Sequence, residues 1–247
     1  MVDPRLRALH CSDLHLHGTH AEHALATVRA LRAAAERHAA DLVLLAGDLF
    51  DAPAQPDSLI EALAAELARL PVPLVAIPGN HDIGAGNVGH AADAIVRLFA
   101  LLDERATLLA APGGETAIVA DGRARVWGRG MPEHSPANNP LEGLRAMPED
   151  GRWNVVIAHG QLTELGGEGR SSPIALERHA EVLRGVHYLA LGHRHTPTEH
   201  QLAGTTVRYS GSASNLVGRG TFAITEFDGV RTTVAIERLA VPHAGLS

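Results

Sequence analysis

The sequence predicts an α/β protein, a four-layer α-β-β-α sandwich in which two packed mixed sheets are flanked by helices. Two observations support this prediction. The first part of the chain alternates short apolar runs with helical patterns, whereas the later apolar runs are short, closely spaced and separated by turn signals. At 247 residues the chain can bury a substantial core, and we expect a single domain over residues 1–247 with no separate cap domain.

The opening of the chain has a βαβαβα pattern. Three apolar runs predict strands, and three segments with apolar residues at helical spacing predict helices. In chain order these elements are Leu6–Cys11, His20–Ala39, Leu42–Ala46, Pro56–Leu70, Val72–Ile77 and Val88–Leu102. Such a pattern implies parallel strands joined by right-handed crossovers, so the carboxyl ends of the strands meet at one edge.

The second part of the chain predicts further short strands, with a hairpin turn at Asp121-Gly122 and a helix around Ile174–Leu183. Five strands are expected at Leu108–Leu109, Thr116–Ala120, Ala124–Trp127, Val155–Ala158 and Tyr188–Leu191. The tail is expected to form an antiparallel meander of Glu199–Leu202, Thr206–Tyr209, Thr221–Phe227 and Thr232–Leu239.

Composition excludes several classes of protein. A net charge of −7 disfavours a protein that coats nucleic acid, although an enzyme that neutralises one phosphate with metal ions remains compatible with it. The lone Cys11 excludes an internal disulfide framework and a zinc ribbon. No signal-peptide pattern occurs and no apolar run reaches the ~18 residues of a membrane span, so we expect a cytoplasmic protein without a membrane partner.

Polar residues follow five of the predicted strands directly. In open α/β sheets the ligand site lies beyond the carboxyl ends of the strands, so these side chains should converge. Glycines stand just before three of the polar groups, where the backbone must turn sharply beside a crowded site. The polar residues are Asp13 and His15, Asp48, the triplet Asn80, His81 and Asp82, then His159, and finally His193 and His195; the glycines are Gly47, Gly79 and Gly192.

Seven of these residues are candidate metal ligands. They exceed the needs of one tetrahedral ion, whereas two ions at ~3.5–4 Å that share a carboxylate would use them all. The mixture of nitrogen and oxygen donors suits Mn, Fe, Zn, Ni or Co, and we expect two divalent transition-metal ions, with Mn as the first choice. The seven candidates are Asp13, His15, Asp48, Asn80, His159, His193 and His195.

These motifs, in this order, resemble the calcineurin-like metallophosphoesterase family. Within it, Ser12–Leu16, Gly47–Asp51 and Tyr209–Ser212 are most similar to the DNA-repair exonuclease (SbcD-like) branch. The resemblance implies that Asp48 bridges two ions, that His81 is a catalytic histidine that is not a ligand, and that Asp82 orients His81. It further implies one ligand set of Asp13, His15, Asp48 and His195, and a second of Asp48, Asn80, His159 and His193.

The expected activity is hydrolysis of a phosphodiester by a hydroxide that bridges the two metal ions, with His81 protonating the leaving oxygen or steadying the phosphoryl group. The substrate is a phosphoester and DNA is one candidate, in keeping with the exonuclease resemblance. That branch usually carries a C-terminal DNA-contacting cap, which we do not expect here. The acidic charge also fits a small-molecule phosphodiesterase or phosphatase, for example one acting on cyclic nucleotides.

Three further questions stay open at the level of sequence. An inactive metal-binding scaffold is the alternative from another class, although the complete ligand set and His81 argue against it. The outer faces of the helices at Pro56–Leu70 and Val88–Leu102 could form a homodimer. The roles of His17, His134 and His187 are undecided, because these histidines lie near the motifs or in a candidate rim loop.

Overall fold

The computed structural model describes residues 5–84, 93–166, 172–202, 204–229 and 231–241. Within these ranges the chain forms three α-helices and fourteen strands. The helices are α1 (Ala21–Arg37), α2 (Asp57–Leu67) and α3 (Ala94–Ala100). The strands are β1 (Leu6–Cys11), β2 (Leu42–Ala46), β3 (Leu74–Ile77), β4 (Ala106–Leu108), β5 (Glu115–Val119), β6 (Ala124–Gly128), β7 (Trp153–His159), β8 (Gln161–Leu162), β9 (Pro173–Ile174), β10 (Tyr188–Gly192), β11 (Thr198–Leu202), β12 (Thr205–Tyr209), β13 (Thr221–Phe227) and β14 (Thr232–Arg238).

Two mixed six-stranded sheets form the centre of the fold, which confirms the predicted fold class. The first sheet has the order β14-β13-β1-β2-β3-β4, with β1 to β4 parallel and β13 antiparallel to both β1 and β14. The second has the order β11-β12-β10-β7-β6-β5, with four parallel strands between antiparallel edge strands. The short strands β8 and β9 pair separately.

Alternation along the strands assigns each side chain to one of three apolar layers. In β1, Leu9 and Cys11 face the helices, whereas Ala8 faces the second sheet. The layer between the sheets is contributed by both of them. Loops and short helical turns, rather than α-helices, cover the outer face of the second sheet within the described residues. Their buried residues include Leu141, Leu144, Leu162, Ile174, Leu176 and Leu183.

The helices agree with the predicted ones in position and differ in length. The helix α1 buries Val28, Leu31 and Ala35 at helical spacing, and α2 begins directly after Pro56. The third helix is shorter than predicted, because α3 covers only Ala94–Ala100. The first part of the predicted helix, 88–92, falls in a range that the structure does not describe. No helix in the described ranges is long and apolar enough to cross a membrane.

The tail does not form the predicted single meander. The β11–β12 hairpin belongs to the second sheet, where β12 also pairs in parallel with β10. The β13–β14 hairpin belongs to the first sheet, where β13 pairs with β1. The chain therefore crosses from one sheet to the other between β12 and β13, and the turn signals that predict hairpins carry no information about this long-range choice.

The helix expected around Ile174–Leu183 is also different. The structure has a 3₁₀ helix at Leu176–His179, followed by turns. The first bonds in this segment, such as Arg178 N to Ala175 O, join residues three apart. Tight turns of this kind still bury both Leu176 and Leu183 against the second sheet, so the apolar spacing alone could not distinguish them from an α-helix.

Candidate metal centre

The loops that follow the parallel strands are joined to one another by backbone hydrogen bonds. The N–H of Asp13 donates to Gly47 O at 3.0 Å, and that of His15 donates to Asp48 O at 3.1 Å. From the second sheet, the N–H of His193 donates to Asp13 Oδ1 at 3.1 Å. The last of these bonds crosses between the two sheets, and together they bring the carboxyl ends of both sets of strands to one edge, as predicted.

Four candidate ligands have left-handed backbone conformations. The φ angles are 53° for Asp13, 48° for His15, 52° for Asp48 and 93° for His193. Residues other than glycine rarely adopt this region, which costs about 1–3 kcal/mol each when the surroundings impose it. Four of the eight non-glycine residues with a positive φ in the described ranges thus line the site, and strain of this kind is common at functional sites.

Glycine is required next to these residues because the loops pass very close to each other. A Cβ atom at Gly79 would collide with the Asp48 carboxylate and backbone nitrogen, and one at Gly192 would collide with Ala46 O. Any side chain at either position would push a candidate ligand out of place. The predicted role of glycines in front of the polar groups is therefore confirmed at these two positions.

The first group of potential ligands consists of Asp13, His15 and His195. Their donor atoms all lie within 4.8 Å of one another. His15 Nε2 lies 3.3 Å from His195 Nε2, and His195 Nε2 lies 3.5 Å from Asp13 Oδ1. A hydrogen bond to Asp13 raises the pKa of His195. Asp13 is fully buried, whereas the His195 side chain is 40% exposed, so this group opens to solvent on one side.

The second group consists of Asp48, His159 and His193, with Asn80 beside them. His159 Nε2 lies 3.3 Å from Asp48 Oδ2 and 3.1 Å from Asn80 Oδ1. His193 Nδ1 lies 3.1 Å from the same amide oxygen. Burial lowers the pKa of His193 to about 4, and the neighbouring His159 adds to this effect, so its imidazole is neutral and free to bind a cation at neutral pH.

Asp48 lies between the two groups. Its Oδ2 atom is 3.3 Å from His159 Nε2 and 3.9 Å from His15 Nε2. Burial alone would raise the pKa of Asp48, but His159 and the N–H of His81 hold it well below its usual range. Burial by itself would lower the pKa of His159. The Asp48 carboxylate outweighs this effect and raises the pKa of His159 to about 9. Binding of a metal ion at His159 would therefore displace a proton.

The site fits divalent cations on the chemistry of its donor atoms. Two imidazole nitrogens face each other at 3.3 Å in the pair His15 and His195, where at most one can carry the proton of a hydrogen bond. Two of the histidines donate the proton of Nδ1 to an acceptor outside the site. His159 Nδ1 donates to Ala46 O at 2.8 Å, and His15 Nδ1 donates to Asp51 Oδ1 at 2.9 Å. Both histidines thus point an unprotonated Nε2 into the site when neutral, the tautomer that a metal ion needs.

His81 lies at the open side of the centre. Its backbone N–H donates to Asp48 Oδ1 at 2.9 Å, and its ring packs edge-on against that of His15 with centroids 4.7 Å apart. The side chain is 43% exposed, and its Nδ1 donates to Asp51 O at 3.0 Å. His81 also lies within 4.8 Å of donor atoms of His15 and Asp48. Its predicted role as a histidine that does not bind metal stays a prediction.

Asp82 does not make the predicted contact with His81. Its carboxylate accepts the backbone N–H groups of Phe50 at 2.8 Å, Gly79 at 2.9 Å and Leu49 at 3.1 Å, so it ties the loop after β3 to the loop after β2. Burial and the nearby Asp48 raise the pKa of Asp82 to about 7. The side chain is fully buried, and its hydrogen bonds all go to the backbone of these two loops.

Asp51 makes the contact with His81 that was expected of Asp82, and it has no role in the sequence-based prediction. Its carbonyl oxygen accepts from His81, while its carboxylate accepts from His15. Asp51 therefore fixes the ring orientation of both histidines at once. In the sequence it is the last residue of the Gly47–Asp51 motif, in which no role is assigned to Asp51.

Buried hydroxyl groups lie behind Asp13. The Ser12 hydroxyl donates to Asp13 Oδ2 and lies 3.2 Å from Ser210 Oγ, and the Ser212 hydroxyl donates to Asp13 O at 2.7 Å. Tyr209 is buried too, and its hydroxyl donates to Gly160 O at 2.8 Å. The Tyr209–Ser212 segment thus supports the walls of the site, and its side chains face the protein interior.

The three histidines left open by the sequence have different surroundings. His17 accepts the N–H of Thr19 at 3.1 Å and caps a 3₁₀ turn. His187 accepts the N–H of Asn154 at 2.9 Å, at the opposite end of the strands from the site. Of the three, His134 lies beside the candidate ligands, with its ring centroid 5.8 Å from that of His193.

Comparisons with known proteins agree with this geometry. Residues 6–197 match the family described as calcineurin-like phosphoesterase. Among solved structures, the protein TT1561 of Thermus thermophilus is 13% identical with a TM-score of 0.60, and the match covers 93% of this chain and 98% of that one. A protein described as a novel archaeal phosphodiesterase is 14% identical with a TM-score of 0.53, covering 94% and 100%. At such identities the likeness shows the fold alone. A search of curated proteins finds no match.

Proposed function

The chain belongs to the calcineurin-like phosphoesterase family and is a metal-dependent phosphoesterase, and on that premise we propose that it hydrolyses phosphodiester bonds with two divalent transition-metal ions, manganese being the first choice. One observation carries the proposal. Two groups of potential ligands lie at the same edge of the sheets, and Asp48 has a donor atom within 4.8 Å of His15 in one group and of His159 and His193 in the other. A carboxylate in that position can be shared between two cations.

We assign one ion to Asp13, His15, Asp48 and His195, and the other to Asp48, Asn80, His159 and His193. When bound, two such ions would neutralise charge on the phosphoryl oxygens and lower the pKa of a water molecule towards ~7. The protein holds the donors in place by the contacts described above. The carbonyl of Ala46 and the carboxylate of Asp51 fix the tautomers of His159 and His15.

His81 is the proposed proton donor to the leaving oxygen. Its Nδ1–H is held by Asp51 O, so the protonated ring has its Nε2–H available for transfer. The exposed side chain can reach a bound substrate, whereas Asp13, His15, Asp48 and His159 are buried. A positioned acid of this kind contributes about 10²- to 10⁴-fold to the rate of a reaction.

The substrate class has two candidates. DNA is favoured by the resemblance of Gly47–Asp51 and Tyr209–Ser212 to the exonuclease branch, but Asp51, Tyr209, Ser210 and Ser212 are occupied with contacts inside the protein. A small phosphodiester is favoured by the net charge of −7, since DNA binding draws its affinity from lysine and arginine. The archaeal protein described as a phosphodiesterase is consistent with either.

The first experiment measures hydrolysis of bis-p-nitrophenyl phosphate by purified protein loaded with Mn²⁺. We expect turnover that a chelator abolishes and that added metal restores. Absence of turnover with each of Mn²⁺, Co²⁺, Ni²⁺, Fe²⁺ and Zn²⁺ would contradict the proposal.

The second experiment separates the two substrate classes. Single-stranded DNA, duplex ends and cyclic nucleotides are compared at 50 and 200 mM salt. A nuclease should bind its substrate with an affinity that falls by orders of magnitude across this range, about 10³-fold for six phosphate contacts. A small-molecule phosphodiesterase should show little dependence on salt and should prefer the cyclic nucleotides.

A further inference from the structure

We infer that His134 contacts the phosphoryl group of the substrate, as a second imidazole beside the metal centre. The inference rests on the proposed function and deepens it. His81 packs against His15, whereas His134 packs edge-on against His193, with centroids 5.8 Å apart and planes at 72°. The two rings thus pack against different candidate ligands.

The electrostatic surroundings of His134 are those of the site. Partial burial lowers its pKa, and the charges of His159, Asp48 and His81 also act on it. The residue is nonetheless exposed, so its ring borders the site without being enclosed by it. An exposed ring that borders a buried group of ligands is in a position to meet whatever binds there.

The segment that carries His134 is held by a buried network. Ser135 O accepts the N–H of Ser172 at 2.8 Å, and Ser135 Oγ accepts the N–H of Ala137 at 3.1 Å. The side chain of Asn138 is buried, where it donates to Ser172 Oγ at 2.8 Å and accepts from the Arg129 guanidinium at 2.7 Å. These contacts fix the loop, so the His134 ring is presented to the site at low entropic cost.

His134 is not needed for any other contact that the structure describes. Within the described ranges it makes no hydrogen bond, and it is not a member of any group of potential metal ligands there. His193, its neighbour, already faces Asn80 Oδ1 through Nδ1. Each neutral imidazole carries one N–H, and that of His134 is available to a ligand.

A phosphodiester supplies the matching partner. Its non-bridging oxygens carry the negative charge, and a hydrogen bond to a charged acceptor is stronger than one between neutral groups. A neutral imidazole at the rim can donate one such bond and leave the metal ligands untouched. His134 would thus bind the phosphoryl group, whereas His81 would serve the leaving oxygen.

The test measures the binding of inorganic phosphate to the Mn²⁺-loaded protein by calorimetry, together with metal content and the kinetics of bis-p-nitrophenyl phosphate hydrolysis. The variants are His134→Ala and His134→Gln, in which the amide retains an N–H donor. The control is His200→Ala, a change in the middle of edge strand β11. Because His134 is exposed, its truncation should leave the fold intact, which circular dichroism checks.

We expect His134→Ala to weaken phosphate binding by about 10- to 100-fold, the loss of one hydrogen bond to a charged group, and to raise KM. Metal content should stay at the wild-type value, His134→Gln should recover part of the affinity, and His200→Ala should behave as wild type. Unchanged phosphate affinity in His134→Ala would overturn the inference, and so would a loss of metal, which would make His134 a ligand. A wild-type protein that binds neither metal nor phosphate would instead contradict the proposed function.

Discussion

The polar side chains at the two ends of the parallel strands are paired in different ways. At the amino ends, donors face acceptors: the Asp41 carboxylate accepts from the Arg7 N–H at 2.8 Å and from the Arg123 guanidinium at 2.7 Å. Asn154, fully buried, accepts from Arg125 and donates to Pro148 O and Gly185 O. Every one of these contacts is complementary, and this end stabilises the fold.

At the carboxyl ends, potential metal ligands crowd together, and some of the groups that face each other are of the same kind. His15 and His195 bring two ring nitrogens to 3.3 Å, and His159 and His193 both point at Asn80 Oδ1. Asp13, His15 and Asp48 hold left-handed backbone conformations there. The two ends thus differ in how their side chains are paired, since the carboxyl ends bring potential metal ligands together. Substitutions at the two ends should therefore have different consequences.

The largest effect is expected for Asp48→Asn, which removes the shared carboxylate. We expect metal content to fall and kcat for phosphodiester hydrolysis to drop by about 10³-fold or more, because both ions lose a charged ligand. Metal analysis and steady-state kinetics measure the two losses. Asp103→Asn, at an exposed carboxylate, is the matched control. Full activity in Asp48→Asn would show that the carboxylate is not shared between ions.

His81→Ala tests the proton donor separately from the metal ligands. We expect kcat to fall by about 10²- to 10⁴-fold while metal content stays at the wild-type value. A substrate with a better leaving group should lose less, because its oxygen needs no proton. If metal content falls together with activity, His81 is a ligand, in line with its position near His15 and Asp48.

Asp51→Ala tests the support of the metal ligands. The change removes the carboxylate that holds His15 and keeps the backbone carbonyl that holds His81, so we expect metal affinity or activity to fall by about 10- to 100-fold through His15. Asp51→Asn keeps an oxygen that can accept from His15 Nδ1 and should recover part of the loss. Equal losses in both variants would mean that charge, rather than orientation of His15, is what Asp51 supplies.

Asn154→Ala tests the opposite end of the strands. Truncation removes the hydrogen bonds that the Asn154 side chain makes with the Arg125 guanidinium, Pro148 O and Gly185 O. Because these groups lose that partner, we expect the free energy of unfolding to fall by about 1–3 kcal/mol. Metal content and KM should not change. Asn215→Ala, at an exposed asparagine, controls for the loss of the amide. A loss of metal in Asn154→Ala would break the distinction between the two ends.

His10 supplies an effect that is absent at neutral pH, a dependence of stability on pH. Its ring lies buried between the sheets, with Nδ1 2.8 Å from the Tyr188 hydroxyl, and burial lowers its pKa from 6.5 to about 3. Between these values the unfolded chain binds a proton that the folded chain does not. Stability contributed by His10 is therefore fully present above pH 6.5 and declines as the pH falls, by about 1.4 kcal/mol per pH unit at most.

Chemical denaturation of wild type and His10→Asn across about pH 3–7 measures this slope. The variant lacks the titrating ring, so its stability should fall less steeply on acidification. Parallel slopes for the two proteins would mean that His10 does not contribute to the acid sensitivity of the fold.

Much of the fold could be predicted from local patterns. The runs Leu6–Cys11 and Leu42–Ala46 are strands with the predicted bounds, and Leu42–Ala46 is apolar on both faces because both faces are buried. The choice of sheet for β13 could not be predicted, since pairing with β1 joins residues as far apart in the chain as Leu6 and Phe227. Local turn signals specify a hairpin and leave its partner open.

The candidate ligands could be predicted because parallel strands end at one edge, and the structure brings all seven together there. The residues that hold them could not. Asp82 and Asp51 act through backbone N–H and C=O groups, whose positions follow from loop conformation and not from residue type. His134 lies beside His193 on a loop that is held by a buried network around Asn138, and no local pattern in the sequence indicates that network.

The most direct test of the central claim is a crystal structure of the Mn²⁺-loaded protein with anomalous scattering measured for manganese. We predict two peaks about 3.5–4 Å apart, with the Asp48 carboxylate between them. Asp13, His15 and His195 should surround one peak, and Asn80, His159 and His193 the other. A single peak, or a second one remote from Asp48, would contradict the account of a shared carboxylate.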